Sequence, residues 1–494
     1  MRLPVVSVVI CSVAVSAIGA LGCGGSTQGA TPPEPDAGQT TAPLLDAGPH
    51  RDAAPDVHAV LDAGPHKEAA AEAAVDAAPD VDRGAPSTTY PAPHPPLPQL
   101  VNVAGGSTLA HPKLFLVFYP GYAYEAQLVE LAQKLGVSTQ WGGSTAEYGV
   151  GAVEYAGMRE LSGADATPPT TIADSEVASF LSARIASGAF GPPDPNAIYT
   201  IFYPETTTIT STGPTGAISS CQPGGFGGYH DDMSVTFTRT APDAGADAAA
   251  EGGAGVQLTN NFAFAVLPTC AASNGLSILD GVSAAVSHEW VEAATDPFPS
   301  TNNGNDSAYV QVDNDHIAWM LLGGGGEAGD LCVPEANAFY VPADLPSTVQ
   351  RTWSNDLARA SHDPCALDQP GSFFNSAPVL GETISFDSQF LGPVTTKGVT
   401  IPVGKSRTIE VDLFSDGPVS GPWTVAAQDL LSDFTGSAPT LEFSWDRAQG
   451  VNGEKLHLTI TTATASTLLG GGHPFVITST LGGIVNTWPA FIVE

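Results

Sequence analysis

Two continuous apolar runs constrain the fold more than any other feature: Lys113 to Tyr119 (KLFLVFY) and Ala197 to Tyr203 (AIYTIFY). A strand with one wet face alternates apolar and polar residues, whereas one covered on both faces has no reason to, so these runs predict buried strands. Helical periodicity lies between them. Apolar residues recur at Leu128, Leu131 and Leu135 within Tyr124 to Leu135, and Asp174 is placed to cap a helix through Val177, Phe180, Leu181 and Ile185 to Gly188. The sequence of strand, helix, helix, strand, paired strands and another helix predicts a mixed α/β domain with a central sheet over residues 99–368. An Ala-, Asp- and Gly-rich stretch within it, residues 241–255, reads as a surface-loop insertion joining two strands.

Past Gly371 the pattern changes to short alternating runs such as RTIEVDLFS, KLHLTITTAT and HPFVITST, divided by Gly, Pro, Asn and Asp. No long amphipathic helix interrupts them. Residues 372–494 therefore predict an all-β, immunoglobulin-like sandwich, an accessory module with no catalytic cluster of its own.

The N-terminal part reads differently. Arg2 and the apolar run from Leu3 to Leu21 form a secretory signal over residues 1–22 rather than a membrane span. The run ends in ALGCG, which resembles a bacterial lipoprotein lipobox, so Cys23 is expected to become the lipidated mature N-terminus; ordinary cleavage would leave it a spare thiol. Gly24 favours the outer membrane over the inner in a cell with two. Residues 23–98 are rich in Ala, Pro, Asp and Gly and nearly repeat LDAGPH; with almost no aromatic residues they cannot offset their ordering entropy and predict a disordered tether. His50, His58 and His66 recur within it through the repeat. With 51 Asp and Glu against 16 Lys and Arg, the chain carries a net charge of -35 and would repel a phosphate backbone, which excludes nucleic acid as a partner.

Setting aside Cys11 and Cys23 leaves Cys221, Cys270, Cys332 and Cys365, an even number that predicts two disulfides in an oxidising compartment. Proximity pairs Cys221 with Cys270 and Cys332 with Cys365, although four cysteines allow three connectivities. No CxxC spacing supports a zinc-thiolate alternative.

The stretch richest in chemistry is SAAVSHEWVEAATDP, Ser283 to Pro297. Helix formers run from Gly281 to Ala294 and Pro297 ends them, so His288 and Glu292, four apart, share one face. In HExxH helices two histidines hold zinc and the glutamate after the first acts as general base. Here Glu292 replaces the second histidine with an oxygen ligand that zinc also accepts, and Glu289 stands in the base position. A helix with one His and two Glu can be merely a solvated face. This one is otherwise almost uncharged (Val282, Ala284, Val286, Val291, Ala293), which sets its ionisable residues in apolar surroundings where they need a partner. A third ligand can come from Glu327 or Asp330 in GEAGDLC, or from His230 in GYHD. His230 suits zinc, whereas Asp330 or Glu327 suits a more oxygen-rich site that prefers calcium or manganese. The run Asn302 to Asp306 (NNGND) reads as a polar turn before it reads as a calcium site.

The order FGGYH, an apolar strand ending in Cys270, DGVSAAVSHEWVEAATDP, GEAGDLC, TWSN and a final cysteine resembles the phosphate-induced, or Exordium-like, family of extracellular proteins and its bacterial relatives, over roughly Pro98 to Asp368. The resemblance implies a secreted α/β domain associated with cell walls and leaves its chemistry open. Two expectations follow. One is a zinc-dependent, peptidase-like hydrolase in which His288 and Glu292 ligate, Asp330 or His230 completes the site and Glu289 activates water, acting on peptide or a cell-wall polymer. The other is a non-catalytic surface or adhesion lipoprotein, anchored to the membrane by its lipid, in which the same residues form a structural metal site.

Overall fold

A computed structural model describes residues 82–494, apart from 214–215, 240–255, 274, 366, 368–370, 389–390, 436 and 468. The expected signal peptide, the Cys23 anchor and the tether to residue 81, with His50, His58 and His66, lie outside the described residues.

The α/β part is built on β1 (Lys113–Phe118), α1 (Glu125–Leu135), β2 (Glu154–Glu160), α2 (Asp174–Ala186), β3 (Ala197–Tyr203), β4 (Tyr229–Arg239), β5 (Val256–Pro268) and α3 (Ile278–Thr295). The strands form one sheet in the order β2-β1-β3-β5-β4, with β2, β1, β3 and β5 parallel and β4 antiparallel to β5. Successive side chains of a strand point to opposite faces. Leu114, Leu116, Phe118, Ile198, Phe202, Ala263, Ala265 and Leu267 accordingly face one core with α1 and α3. Val117, Tyr199, Ile201, Tyr203, Phe262, Phe264 and Val266 face a second core with Val177, Leu181 and Ile185 of α2. Every residue of β3 is buried, as its unbroken apolar run predicts. The segment 241–255 lies outside the described residues, but β4 and β5 on its flanks pair directly, with Arg239 opposite Val256.

One local expectation fails. Ala173, not Asp174, is the N-cap of α2, and the carboxylate of Glu176 reaches back to accept the Ala173 N–H at 2.9 Å. Asp174 instead accepts a hydrogen bond from Ser211 at 2.5 Å, because β-type pairing brings that hydroxyl within reach of its side chain.

The C-terminal part contains β6 (Phe374–Pro378), β7 (Glu382–Ser388), β8 (Gly392–Thr400), β9 (Ser406–Ser415), β10 (Trp423–Asp429), β11 (Leu441–Trp445), β12 (Gln449–Gly450), β13 (Lys455–Thr462), β14 (Gly472–Leu481) and β15 (Ile484–Val493). They make two sheets, β6-β9-β13-β11 and β7-β8-β15-β14-β10-β12. The sheets pack through Val411, Leu413, Leu458 and Ile460 on one side and Val425, Phe475, Ile477 and Trp488 on the other. Phe374 and Trp423 meet across the gap at 5.4 Å, and the indole Nε1 of Trp423 donates to Ser376 at 3.0 Å.

Residues 83–98, expected as the end of the tether, instead pack on the rest of the chain and belong to one compact unit with it. Gly84 bridges Glu454; Asn452 donates to the carbonyls of Ser87 and Thr89 and accepts the Ala92 N–H; His94 stacks on Phe414 at 3.5 Å. A proline-rich segment with few apolar residues reads as disordered, yet proline needs no backbone partner for its nitrogen and can lie as a strap on a surface that supplies the others.

Candidate metal centre

Helix α3 lies on the sheet with one tryptophan as its anchor: Trp290 is fully buried and its Nε1 donates to Thr200 Oγ1 on β3 at 2.8 Å. Ser277 caps the helix by accepting from the Asp280 N–H. Apolar and small side chains on all sides bury it almost completely from Val282 onward, so the three ionisable residues beyond Asp280 are carried into the interior. His288, Glu289 and Glu292 are each 2% exposed or less.

Other elements bring further donors to the same place. His230 comes from β4, opposite Ala265 of β5. Glu327 and Asp330 come from a loop that Cys332–Cys365 ties down, and Asp296 is the C-cap of α3 itself. His288 Nε2 lies 3.0 Å from Glu292 Oε2 and 3.9 Å from Asp330 Oδ1. His230 Nδ1 lies 3.6 Å from Glu289 Oε2 and 3.7 Å from Glu292 Oε2, and its Nε2 lies 3.7 Å from Glu327 Oε2. All the candidates expected from the sequence, His230, His288, Glu289, Glu292, Glu327 and Asp330, converge. Asp296 was not among them, because an Asp before Pro297 reads as a helix stop.

Few of these groups satisfy one another. Glu292 Oε1 accepts the N–H groups of Gly329 and Asp330, and Asp330 Oδ2 accepts that of Glu327. His288 Nε2 has its 3.0 Å ion pair with Glu292, and His288 Nδ1, His230 Nε2, Glu289 Oε2, Asp296 Oδ2, Glu327 Oε2 and Asp330 Oδ1 are buried without a hydrogen-bond partner. Leaving such atoms unsatisfied is costly, and a native interior rarely does so without a reason. Their spacing supplies one. Contacts of 3.6 to 3.9 Å are too long for hydrogen bonds. Ligand bonds of about 2.1 Å in tetrahedral array place donors roughly 3.4 Å apart, close to what is seen. Three sets lie within 4.8 Å internally and are positioned to bind a metal ion: His288, Glu292 and Asp330; His230, Glu289 and Glu292; and His230, Asp296 and Glu327.

The electrostatics of the metal-free cluster agree. Burial would lower both imidazoles, but neighbouring carboxylates outweigh it: Glu289 and Glu292 hold His230 up at about 9, and Glu292 holds His288 up at about 10. Burial, and then the charge of Glu292, pushes Glu327 and Asp330 well above the usual carboxylate range. Burial raises Glu289 and brings Asp296 to about 6. Glu292 goes the other way; burial opposes its ionisation, but the adjacent His288 keeps it charged. Protons thus occupy the place of a cation.

Two glycines permit this density. A Cβ on Gly329 would stand 2.3 Å from His288 Nδ1, and one on Gly228 would stand 2.7 Å from Glu289 Oε1. Gln350 holds the first loop in place by donating from Nε2 to the Gly329 carbonyl at 2.8 Å. The Asn302–Asp306 run is a short turn closed by its own side chains, such as Asn305 Nδ2 to the Asn302 carbonyl.

The two disulfides are Cys221–Cys270 and Cys332–Cys365, as chain proximity suggests, and such bonds belong to oxidising compartments. Among the described residues no helix is long and apolar enough to cross a membrane. The chain matches no protein-family model and no curated relative. Among solved structures it is similar to domains 4 and 5 of the S-layer protein SbsC, at 16% identity over 24% of this chain and 54% of that one, with a TM-score of 0.14. The chain thus spans about half of that structure. It is also similar to the titin M3 domain, at 12% identity over 19% of this chain and 85% of that one, again with a TM-score of 0.14. Likenesses this slight do not establish a shared fold.

Proposed function

We propose that this chain is an exported, lipid-anchored protein whose buried centre holds a divalent cation of zinc type, and that it uses the ion to hydrolyse peptide or a related acyl bond. The observation that carries the metal is the set of orphaned, buried imidazole and carboxylate atoms at ligand spacing. His288, Glu292 and Asp330 are the ligands. Their mixture of one nitrogen and two oxygens suits zinc and also admits manganese.

A bound ion supplies Lewis acidity and can bring the pKa of water down to about 7. What remains falls to Glu289. It is not a member of the first ligand set, its Oε2 has no partner, and burial makes its carboxylate more basic than usual, which suits a group that takes a proton from attacking water and returns it to the leaving group. Peptide or a cell-wall polymer is the substrate class in keeping with the Exordium-like resemblance, and Cys23 is the anchor.

A second reading is favoured by burial. His230 is 6% exposed and the other six side chains 2% or less, and structural zinc sites are closed whereas catalytic ones keep an open position. In that case the ion joins α3, β4 and the 327–332 loop in a non-catalytic surface protein. Hydrolysis requires this buried centre to open to substrate.

The substitution Glu289→Gln separates the two. It should keep the metal while lowering hydrolysis of a peptide and glycan panel by about 10²- to 10⁴-fold. Equal activity in both proteins, or none in either, with metal retained, would leave the structural reading. Purified chain that binds no divalent ion would defeat both.

A further inference from the structure

We infer that the cluster is built for two divalent ions, the first on His288, Glu292 and Asp330 and the second on His230, Asp296 and Glu327. This rests on the metal reading above and extends it. The two sets have no residue in common, and each brings its donor atoms within 4.8 Å of one another.

The second set has its own evidence. His230 Nε2, Asp296 Oδ2 and Glu327 Oε2 are all buried and unpartnered. The other oxygen of Asp296 accepts the Ala308 N–H at 2.7 Å, which fixes the carboxylate and leaves Oδ2 facing the cluster. His230 is oriented in the manner of a metal ligand: Nε2 faces Glu327, and Nδ1 faces the Glu289 carboxylate at 3.6 Å. This assignment leaves Glu289 outside both ligand sets, where a proton acceptor would stand.

Charge gives the same count. Glu289, Glu292, Asp296, Glu327 and Asp330 are five buried carboxylates, and among the described residues the ion pairs in the cluster are all with the two imidazoles. Metal-ligating imidazoles are neutral, so with every carboxylate ionised one divalent ion leaves three negative charges that protons must neutralise, whereas two ions leave one. His230 of the second set has its Nδ1 3.7 Å from Glu292 Oε2 of the first, so ligands of the two ions approach one another and the ions are neighbours.

The test loads the metal-free full chain with manganese, measures metal per chain by mass spectrometry after gel filtration, and records the electron paramagnetic resonance spectrum. Two ions per chain with dipolar coupling between them are expected. Asp296→Asn, or His230→Gln should that variant fold better, should lower the count to one and abolish the coupling. One ion per chain at saturation, or two without coupling, would overturn the second site and leave the first intact. No bound ion would overturn both, and the wild-type measurement decides whether or not a variant folds.

Discussion

The two imidazoles of the centre are set against their usual chemistry. An exposed histidine is mostly neutral at pH 7, whereas His230 and His288 are held up at about 9 and about 10 in the metal-free chain. Metal ligation requires them neutral, so uptake must expel protons. Zinc affinity should therefore rise with pH from about 6 towards 9. Calorimetry at pH 7 in buffers of differing ionisation enthalpy should show proton release, and uptake without it would contradict the ligand assignment. Stability of the chelator-treated chain should move in the opposite direction. An imidazole whose folded pKa lies above its unfolded value of about 6.5 stabilises fully below that value and loses the contribution as pH rises through the folded one. Glu327 and Asp330, whose folded values are raised by burial, bind more protons in the folded state and so act with the same sign. Melting temperature of the metal-free chain should accordingly fall between pH 6.5 and 10. A rise over that window would show that the imidazoles are not paired as described.

At the scale of elements, the centre depends on three pieces of chain that differ in how they are held. Helix α3 is fixed by packing and by Trp290, and β4 by its ladder with β5. The 327–332 loop has only a few hydrogen bonds and the Cys332–Cys365 bond. Replacing both of those cysteines by serine should cost about 2 to 4 kcal/mol of stability and weaken metal binding as well. The same change at Cys221 and Cys270 should cost similar stability with little change in metal affinity, since the sheet still positions His230. Chemical denaturation and metal titration on both double variants check this, and equal loss of affinity in the two would refute it. The same contrast explains what the sequence made legible. β3 and α3 could be read because unbroken apolar runs and a nearly uncharged helix report burial directly. The third ligand could not be chosen, because His230 and Asp330 lie on either side of α3 in the chain and only tertiary packing brings both in. Asp296 stayed hidden behind its role as a helix terminator.

In the whole molecule the α/β part and the sandwich hold each other. The turn at residues 314–319 inserts Trp319 between Trp353 of the α/β part and Trp488 of β15, with ring centroids 5.5 Å apart on each side. The strap from Arg83 runs over the sandwich through Asn452 and His94 before Gln99 donates to Asp313 at 2.8 Å, so one stretch of backbone is fastened to both parts. Boundaries drawn from composition could not reveal this, since a change from helical to alternating pattern reports where a fold type ends and not whether the two folds share a core. Trp488 is 2% exposed, and an alanine there would remove packing from both sides of the junction at a cost of about 3 to 5 kcal/mol. If the parts unfold together, calorimetry of the wild type gives one transition, and Trp488→Ala moves it down whole, taking the metal centre with it. Two transitions, of which only one shifts while metal release stays with the other, would show that the sandwich is carried by the α/β part and does not support it.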